Sequence, residues 1–220
     1  MIERAGNNPG ITLKLCMAIF HGEEIPEDIG ETDEEFVEMR KTLLRNNLPA
    51  STSAVLRSRR EIVQHAKAAS YIINQLYIRG QDLSEDIILQ THGILTHKVD
   101  AKNVPWQEYS GIYRKDESDL QEVIRKSTID PIAIATKYTH IFVNIHPFID
   151  GNGRMCHLIL NSMLLKLGSF LVGIGALEQM YEDRYEEEKP VMHAELGSFV
   201  MAHVRKSMRK LLDDFWDFLS

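Results

Sequence analysis

The chain is short of cysteine, having only Cys16 and Cys156. Two such residues far apart make neither a disulfide framework nor a zinc motif, and a reducing compartment is the simpler reading. No apolar run of about 18 residues or more occurs, so no transmembrane helix is expected. No long basic run occurs either and the formal net charge is -7, which argues against nucleic acid as the partner. The start, MIERAGNNPG, lacks a cationic segment followed at once by an apolar one, so it does not read as a secretory leader. The apolar stretch from Ile11 to Phe20 comes late, ends in HGEEIPED without a small-residue cleavage site, and reads as a helix packed on the domain. These absences lead to a cytoplasmic expectation. No internal repeat or low-complexity tract is visible. What is present is a hydrophobic fraction of 44% over 220 residues, enough for the core of one domain of ordinary size, or of one domain with an extension.

The apolar pattern along the chain is helical. From Thr32 to Arg45, Phe36, Val37, Met39, Leu43 and Leu44 fall roughly on one face. Asn46 to Ser53 carries Pro49 and reads as a break. Ser58 with Glu61 three residues on resembles a capping box, opening a long helix that ends at Gly80. Ser84 opens SEDIILQTHGILTHK with acids in its first turn. Lys102 to Lys126 differs: Pro105, Gly111 and three aromatics (Trp106, Tyr109, Tyr113) suit a short β-hairpin or flap. Pro131 starts a helix through IAIATKYTHIFVNI, a loop covers HPFIDGNG, and RMCHLILNSMLLKL is helical to Gly168. The run YEDRYEEEK reads as a solvated face. A last helix reaches an apolar end at Leu211, Leu212, Phe215, Trp216, Phe218 and Leu219, which either docks on the core or makes a dimer contact. The expected fold is all-α, mainly helical, with one small hairpin.

The stretch HPFIDGNGRMCH, His146 to His157, concentrates chemistry. Gly151 and Gly153 can adopt positive φ and carry no side chain to block a ligand. Successive N–H groups at the start of the next helix then form an anion site, with phosphate as its natural occupant. Arg154 in the first turn can make charge-assisted bonds to phosphate oxygens. Asp150 would repel phosphate alone but suits a Mg²⁺ that bridges phosphate oxygens. His146 is the nearby residue type whose ordinary titration range suits a general base. No Gly-Lys-Ser/Thr follows the glycines and no strand precedes them, so this is neither a Walker loop nor a dinucleotide fingerprint. A plain tight connection between two helices is the competing explanation at this level.

The same stretch resembles the motif of the Fic family, HPFxxGNGRxxR with an acid before GNGR. His146, Pro147, Phe148, Asp150, Gly151, Asn152, Gly153 and Arg154 all match. FVNIHPF is similar to the family's lead-in, SGIYR at Ser110 to Arg114 to the entry of its flap, and REIVQHAKAASYI and LQTHGIL to its upstream core helices. The resemblance spans about residues 50 to 205. It implies a helical core with a hairpin flap, an N-terminal helical extension over 1–50, a Fic domain over 51–205 and a closing helix end over 206–220. It further implies a protein adenylyltransferase, which moves AMP from ATP, with Mg²⁺, to a Ser, Thr or Tyr hydroxyl of a protein. Carried over, His146 is the base, Asp150 holds Mg²⁺, and Gly151, Asn152, Gly153, Arg154 and His157 meet the phosphates. Ser110, Gly111, Ile112 and Tyr113 belong to the flap that aligns the target by strand addition. The expected partners are a nucleotide and a protein substrate, which could be the chain itself at Tyr113; a homodimer is left open.

Two departures from the family stand out. His157 replaces the second arginine, which in the family grips the γ-phosphate. Histidine is shorter and only partly charged near neutrality, so the grip should weaken or depend on pH. The family's inhibitory motif, whose glutamate pairs with that arginine, would fall in NLPASTSAVLRSRRE. No glutamate lies between Glu38 and Glu61, and Ser53, Ala54 and Leu56 are the candidate replacements. Glu195 is a remote alternative. The expectation is a transferase without the glutamate–arginine brake. The alternatives are a different nucleotide or phosphodiester donor, or a weakened enzyme that binds nucleotide or protein. Of the other histidines, His140, His146 and His157 match no common zinc spacing. His92 and His97 read as helix-surface or core residues, and His65 as a satisfied buried histidine.

Overall fold

The computed structural model describes residues 8–102, 104–114, 131–169, 171–172, 196–206 and 209. The first helix, α1 (Pro9–Phe20), is started by Asn8, whose side chain accepts the Ile11 N–H at 3.2 Å, and by a proline at its first position. In α2 (Glu34–Arg45) two acids occupy the first turn, where they meet the positive helix end. Its buried positions are Phe36, Met39, Thr42 and Leu43. Val37 and Leu44, expected on the same face, are 39% and 59% exposed. Each follows a buried residue by one step, and one step rotates a side chain by about 100°.

The long helix α3 (Thr52–Ile73) begins earlier than expected. Ser51 caps it by accepting the Ala54 N–H at 3.3 Å. Ser58, expected as the cap, lies inside the helix and is buried. A π-helical turn (Asn74–Ile78) extends α3, and the chain leaves at Gly80 with φ +69°. As expected, Ser84 caps α4 (Glu85–Thr96), accepting from Ile87 N–H at 3.4 Å. Pro131 opens α5 (Pro131–Ile145), which packs along α6 (Asn152–Gly168). The helix 196–206, α7, adds Leu196, Val200 and Val204 to the core.

No sheet occurs among the described residues; the strand-type contact there is one isolated bridge between Ala101 and Val104. Residues 104–114 form a 3-10 turn (Trp106–Glu108) and an irregular segment. The rest of the expected hairpin, the charged run near 181–189, Glu195 and the apolar end from Leu211 lie outside the described residues.

Helix α3 is the spine of two apolar clusters. Its first half contributes Val55, Ile62 and Val63 to a cluster with Leu15, Phe36, Met39 and Leu43 of α1 and α2. Its second half contributes Ala68 and Ile72 to the main core with α4, α5, α6 and α7. Arg59 fastens the first cluster. It is 2% exposed, donates from Nε to Glu35 at 2.5 Å, and reaches the Pro26 and Glu27 carbonyls with Nη1. Glu27 turns its carboxylate the other way, to Lys98 at 2.5 Å, with His97 at 3.5 Å and Lys67 at 3.9 Å. The Lys98 hydrogen bond holds that carboxyl below its usual range.

Candidate active site

The six-residue connection His146 to Gly151 joins α5 to α6. His146 is exposed and takes φ +51° as its N–H closes the end of α5 on the Phe142 carbonyl at 3.0 Å. Phe148 goes the other way: it is fully buried and ring-stacked on His92, centroids 3.6 Å apart and planes 2° from parallel. Its backbone is held at both ends by one side chain. Asn152 Oδ1 accepts the Phe148 N–H at 3.0 Å, and Asn152 Nδ2 donates to the Phe148 carbonyl at 2.7 Å. Expected as a phosphate ligand, Asn152 is 3% exposed and its amide is committed to the loop, so its backbone N–H is what remains for an anion. The helix also starts earlier than expected: Asn152 and Gly153 lie in its first turn, and Gly151 is the cap, at φ +83°.

Asp150 and Arg154 sit on either side of that cap. Asp150 Oδ1 accepts the Gly151 N–H at 2.7 Å, and Oδ2 faces Arg154 Nη2 at 3.3 Å. The Arg154 side chain is 12% exposed, and its Nη1 is buried with no hydrogen-bond partner among the described residues. A guanidinium with buried, unmet N–H groups is costly unless an acceptor arrives. The first-turn N–H groups of α6 also have no carbonyl within the helix. An oxyanion placed there would answer both needs. Among the described residues no three His, Cys, Asp or Glu side chains gather. The donor set therefore does not make a closed metal cage. It fits an ion held by the Asp150 carboxylate and by phosphate oxygens, which is how Mg²⁺ is commonly bound.

His157 is half-buried one turn after Arg154. Across from α6, α3 brings in His65. Burial, then the charges of Arg154 and His157, push this imidazole down to about 4. Its Nδ1 is buried without a partner among the described residues, so His65 is not the satisfied core histidine expected. His65 also locates α3 against the site. Ser53, Ala54 and Leu56 lie nine to twelve residues earlier, about 14–18 Å along the helix at 1.5 Å per residue. Leu56 packs against the cluster of α1 and α2. Cys156 is fully buried and burial raises its thiol pKa, in keeping with a small apolar residue.

His92 of α4 is the residue that sequence reasoning undervalued. Its Nδ1 accepts the Gly111 N–H at 2.9 Å and its Nε2 lies 2.9 Å from the Asp150 carbonyl. An amide N–H only donates and a carbonyl only accepts, so the ring is neutral with its proton on Nε2. Burial, the largest influence, pushes it down to about 4. The available signal was a polar residue between Ile88 and Leu95 on the buried stripe of α4, a place that demands partners.

The flap residues described are more inward than a target-reading role implies. Ser110 Oγ donates to the Gly93 carbonyl at 3.0 Å and takes the Thr96 hydroxyl at 2.8 Å. Gly111 packs on Gly93. Tyr113 stacks on Phe148 at 5.2 Å, and its hydroxyl is buried without a partner among the described residues, with its pKa raised by burial. A buried hydroxyl is no acceptor for a group transfer, which corrects the reading of Tyr113 as a self-modification site. Ile112, 52% exposed, and Arg114 face solvent, and the Arg114 N–H donates to the Pro147 carbonyl at 2.8 Å. Tyr109 is fully buried with its hydroxyl on the Val99 carbonyl, and Trp106 meets His97 edge-on at 4.6 Å. These aromatics pack the root of the segment.

Comparison with known proteins agrees with this geometry. Residues 82–164 match the Fic/DOC family, a span from the approach to α4 through most of α6. A Fido domain-containing protein of Dictyostelium discoideum is 45% identical over 65 residues, 26% of this chain and 46% of that protein. The protein adenylyltransferase Fic of Drosophila erecta is 45% identical over 42 residues, 19% of this chain and 8% of that protein. The chain thus spans less than half the length of either relative. In structure, Fic-1 of C. elegans (residues 134–508) aligns with a TM-score of 0.59 at 19% identity, covering 96% of this chain and 64% of that one. That likeness is one of fold. The loop, its cap and its arginine, in the arrangement described, all lie within the span that matches the Fic/DOC family.

Proposed function

We propose that the chain transfers AMP from ATP to a Ser, Thr or Tyr hydroxyl of a protein. The observation that carries the reading is Arg154 at the start of α6, whose Nη1 is buried with no partner among the described residues while its Nη2 faces Asp150. In this reading the phosphates lie against the first turn of α6, on the N–H groups of Gly153 and its neighbours, with Arg154 turning Nη1 to a phosphate oxygen. Asp150, released in part from Arg154, holds Mg²⁺; the ion, when bound, neutralises the phosphate charge. His146 takes the proton of the target hydroxyl as its oxygen bonds to the α-phosphorus. The bond from that phosphorus to the bridging oxygen breaks, and pyrophosphate leaves. The chain's own contribution is position and fixed charge. His157 stands near Arg154, where it gives the terminal phosphate a shorter and weaker contact than arginine.

The domain division proposed with this reading is a helical extension over 1–50, a Fic domain over 51–205 and a closing segment over 206–220. The identity of His157 favours one second reading, a transferase whose donor lacks a γ-phosphate. The test is incubation with α-labelled ATP and Mg²⁺ of the chain, His146→Ala and His157→Arg. Label on the chain or on an added lysate protein, lost in His146→Ala and increased in His157→Arg, is expected. No label in any of the three, with nucleotide binding retained, sinks AMP transfer and favours the other donor or a binding role.

A further inference from the structure

Two elements must be in register for the proposed reaction: the segment 110–114, which the family resemblance places at the entry of a flap, and the loop that carries Asp150. They belong to separate stretches of chain, yet His92 lies between them and touches both. The Gly111 N–H enters its Nδ1 at 2.9 Å and its Nε2–H meets the Asp150 carbonyl at 2.9 Å. Its face is stacked on Phe148, 3.6 Å between centroids. Gly151 closes over it: a Cβ there would stand 3.4 Å from His92 Nε2 and 3.4 Å from a Thr96 methyl. The cap of α6 thus lies directly beside the ring, which is held by its two hydrogen bonds and by the stack on Phe148. The N–H of that cap is in turn what seats the Asp150 carboxylate, at 2.7 Å.

We propose that His92 is a positioning residue of the transfer site: a neutral imidazole that locks the flap root to the Asp150 loop and so sets where the Asp150 carboxylate stands. The proposal rests on the reading of Asp150 as the residue that holds the nucleotide's Mg²⁺. His92 does not itself touch a reacting atom. Of its two polar ends, the Nε2–H end governs the carboxylate, and the Nδ1 end governs the flap root.

That asymmetry gives a test. The carbonyl oxygen of an asparagine reaches about as far as Nδ1, and the amide nitrogen of a glutamine about as far as Nε2. Thus His92→Asn keeps the Gly111 end, His92→Gln keeps the Asp150 end, and His92→Phe keeps only the stack on Phe148. Three measurements are made on the full chain. At pH 7 the ring ¹⁵N shifts of His92 in the wild type should show the proton on Nε2. Amide hydrogen exchange should quicken at Gly151 but not Gly111 in His92→Asn, the reverse in His92→Gln, and at both in His92→Phe. Calorimetry with ATP, with Mg²⁺ and with EDTA, should show the Mg²⁺-dependent affinity down about tenfold in His92→Asn and His92→Phe, the loss of one buried hydrogen bond. It should stay within about threefold of wild type in His92→Gln, with the melting temperatures of the Asn and Gln variants lowered alike. Equal affinity losses in Asn and Gln that follow melting temperature, an unmoved affinity in Phe, or a proton on Nδ1 overturn the proposal and leave His92 a core residue. A wild type without Mg²⁺-dependent ATP binding overturns the transfer reading instead; Gly111 and Gly151 exchange in His92→Phe then decides whether the lock exists at all.

Discussion

Asn152 shows what one side chain does when the backbone beside it must be buried. Phe148 is fully enclosed, and the N–H and C=O of its peptide groups have left water. One amide side chain meets both. Asn152→Ala should therefore destabilise the chain by about 2–4 kcal/mol, two buried backbone groups left unmet at once. The midpoint of urea unfolding reads this directly, and Asn152→Asp, which keeps only the acceptor, should fall between. His65 is the opposite case, a buried ring nitrogen that nothing among the described residues answers. Its pKa falls from about 6.5 in the unfolded chain to about 4 in the folded one. The unfolded state thus binds more protons, so the stability present above about pH 6.5 is lost as pH falls toward 4. The loss from this residue is at most about 3 kcal/mol, because each tenfold fall in proton affinity is worth about 1.36 kcal/mol. His65→Leu should flatten the curve of stability against pH on its acid side. At pH 7.5 the variant should cost little, because no hydrogen bond to that nitrogen is broken. Urea unfolding at a series of pH values for both proteins checks the slope.

At the scale of elements, the turn between α5 and α6 is the proposed site. An α-helix ends in unmet carbonyls and begins with unmet N–H groups. Here α5 ends on a histidine in the left-handed region, and α6 begins on a glycine in the same region. Gly151 and Gly80 separate two causes of strain. Gly80 has φ +69° and open space where a Cβ would stand. Gly80→Ala should then cost about 1 kcal/mol, the backbone term alone. Gly151 has φ +83° and two neighbours at 3.4 Å. Gly151→Ala should cost more, and it should also lower ATP affinity, because the cap carries the N–H that seats Asp150. Equal costs in the two variants, by urea unfolding, would show that the contact with His92 and Thr96 does not matter.

Over the whole molecule, the N-terminal helices and the main core share α3, and Arg59 fastens the N-terminal cluster to it. A guanidinium at 2% exposure with a carboxylate and two carbonyls around it is stable only as a set. Arg59→Met removes the charge and leaves Glu35 and two carbonyls unmet. The expected loss is about 3–5 kcal/mol, and amide exchange should quicken first over 23–45, before the core of α4, α5 and α6. Exchange that quickens uniformly would show that the two clusters open together.

Much of this was legible in the residues themselves. Ser84, Pro131 and the glycine at 80 set the element ends beside them, because caps and breakers act over one turn. The motif HPFIDGNGR pointed to the candidate site, since its residue types are needed in that order along one turn. What the tertiary structure alone decided concerns partners distant in sequence. Nothing local told Arg59 from its neighbours Arg57 and Arg60 in RSRRE; only packing against residues 26 to 35 buried one and left the others nearer to solvent. Nothing local showed that Asn152 serves the backbone instead of a phosphate, or that Tyr113 turns its hydroxyl inward. His92 is the clearest instance, 19 residues from one partner and 58 from the other. A sequence states which groups need hydrogen bonds; the fold determines which of them meet.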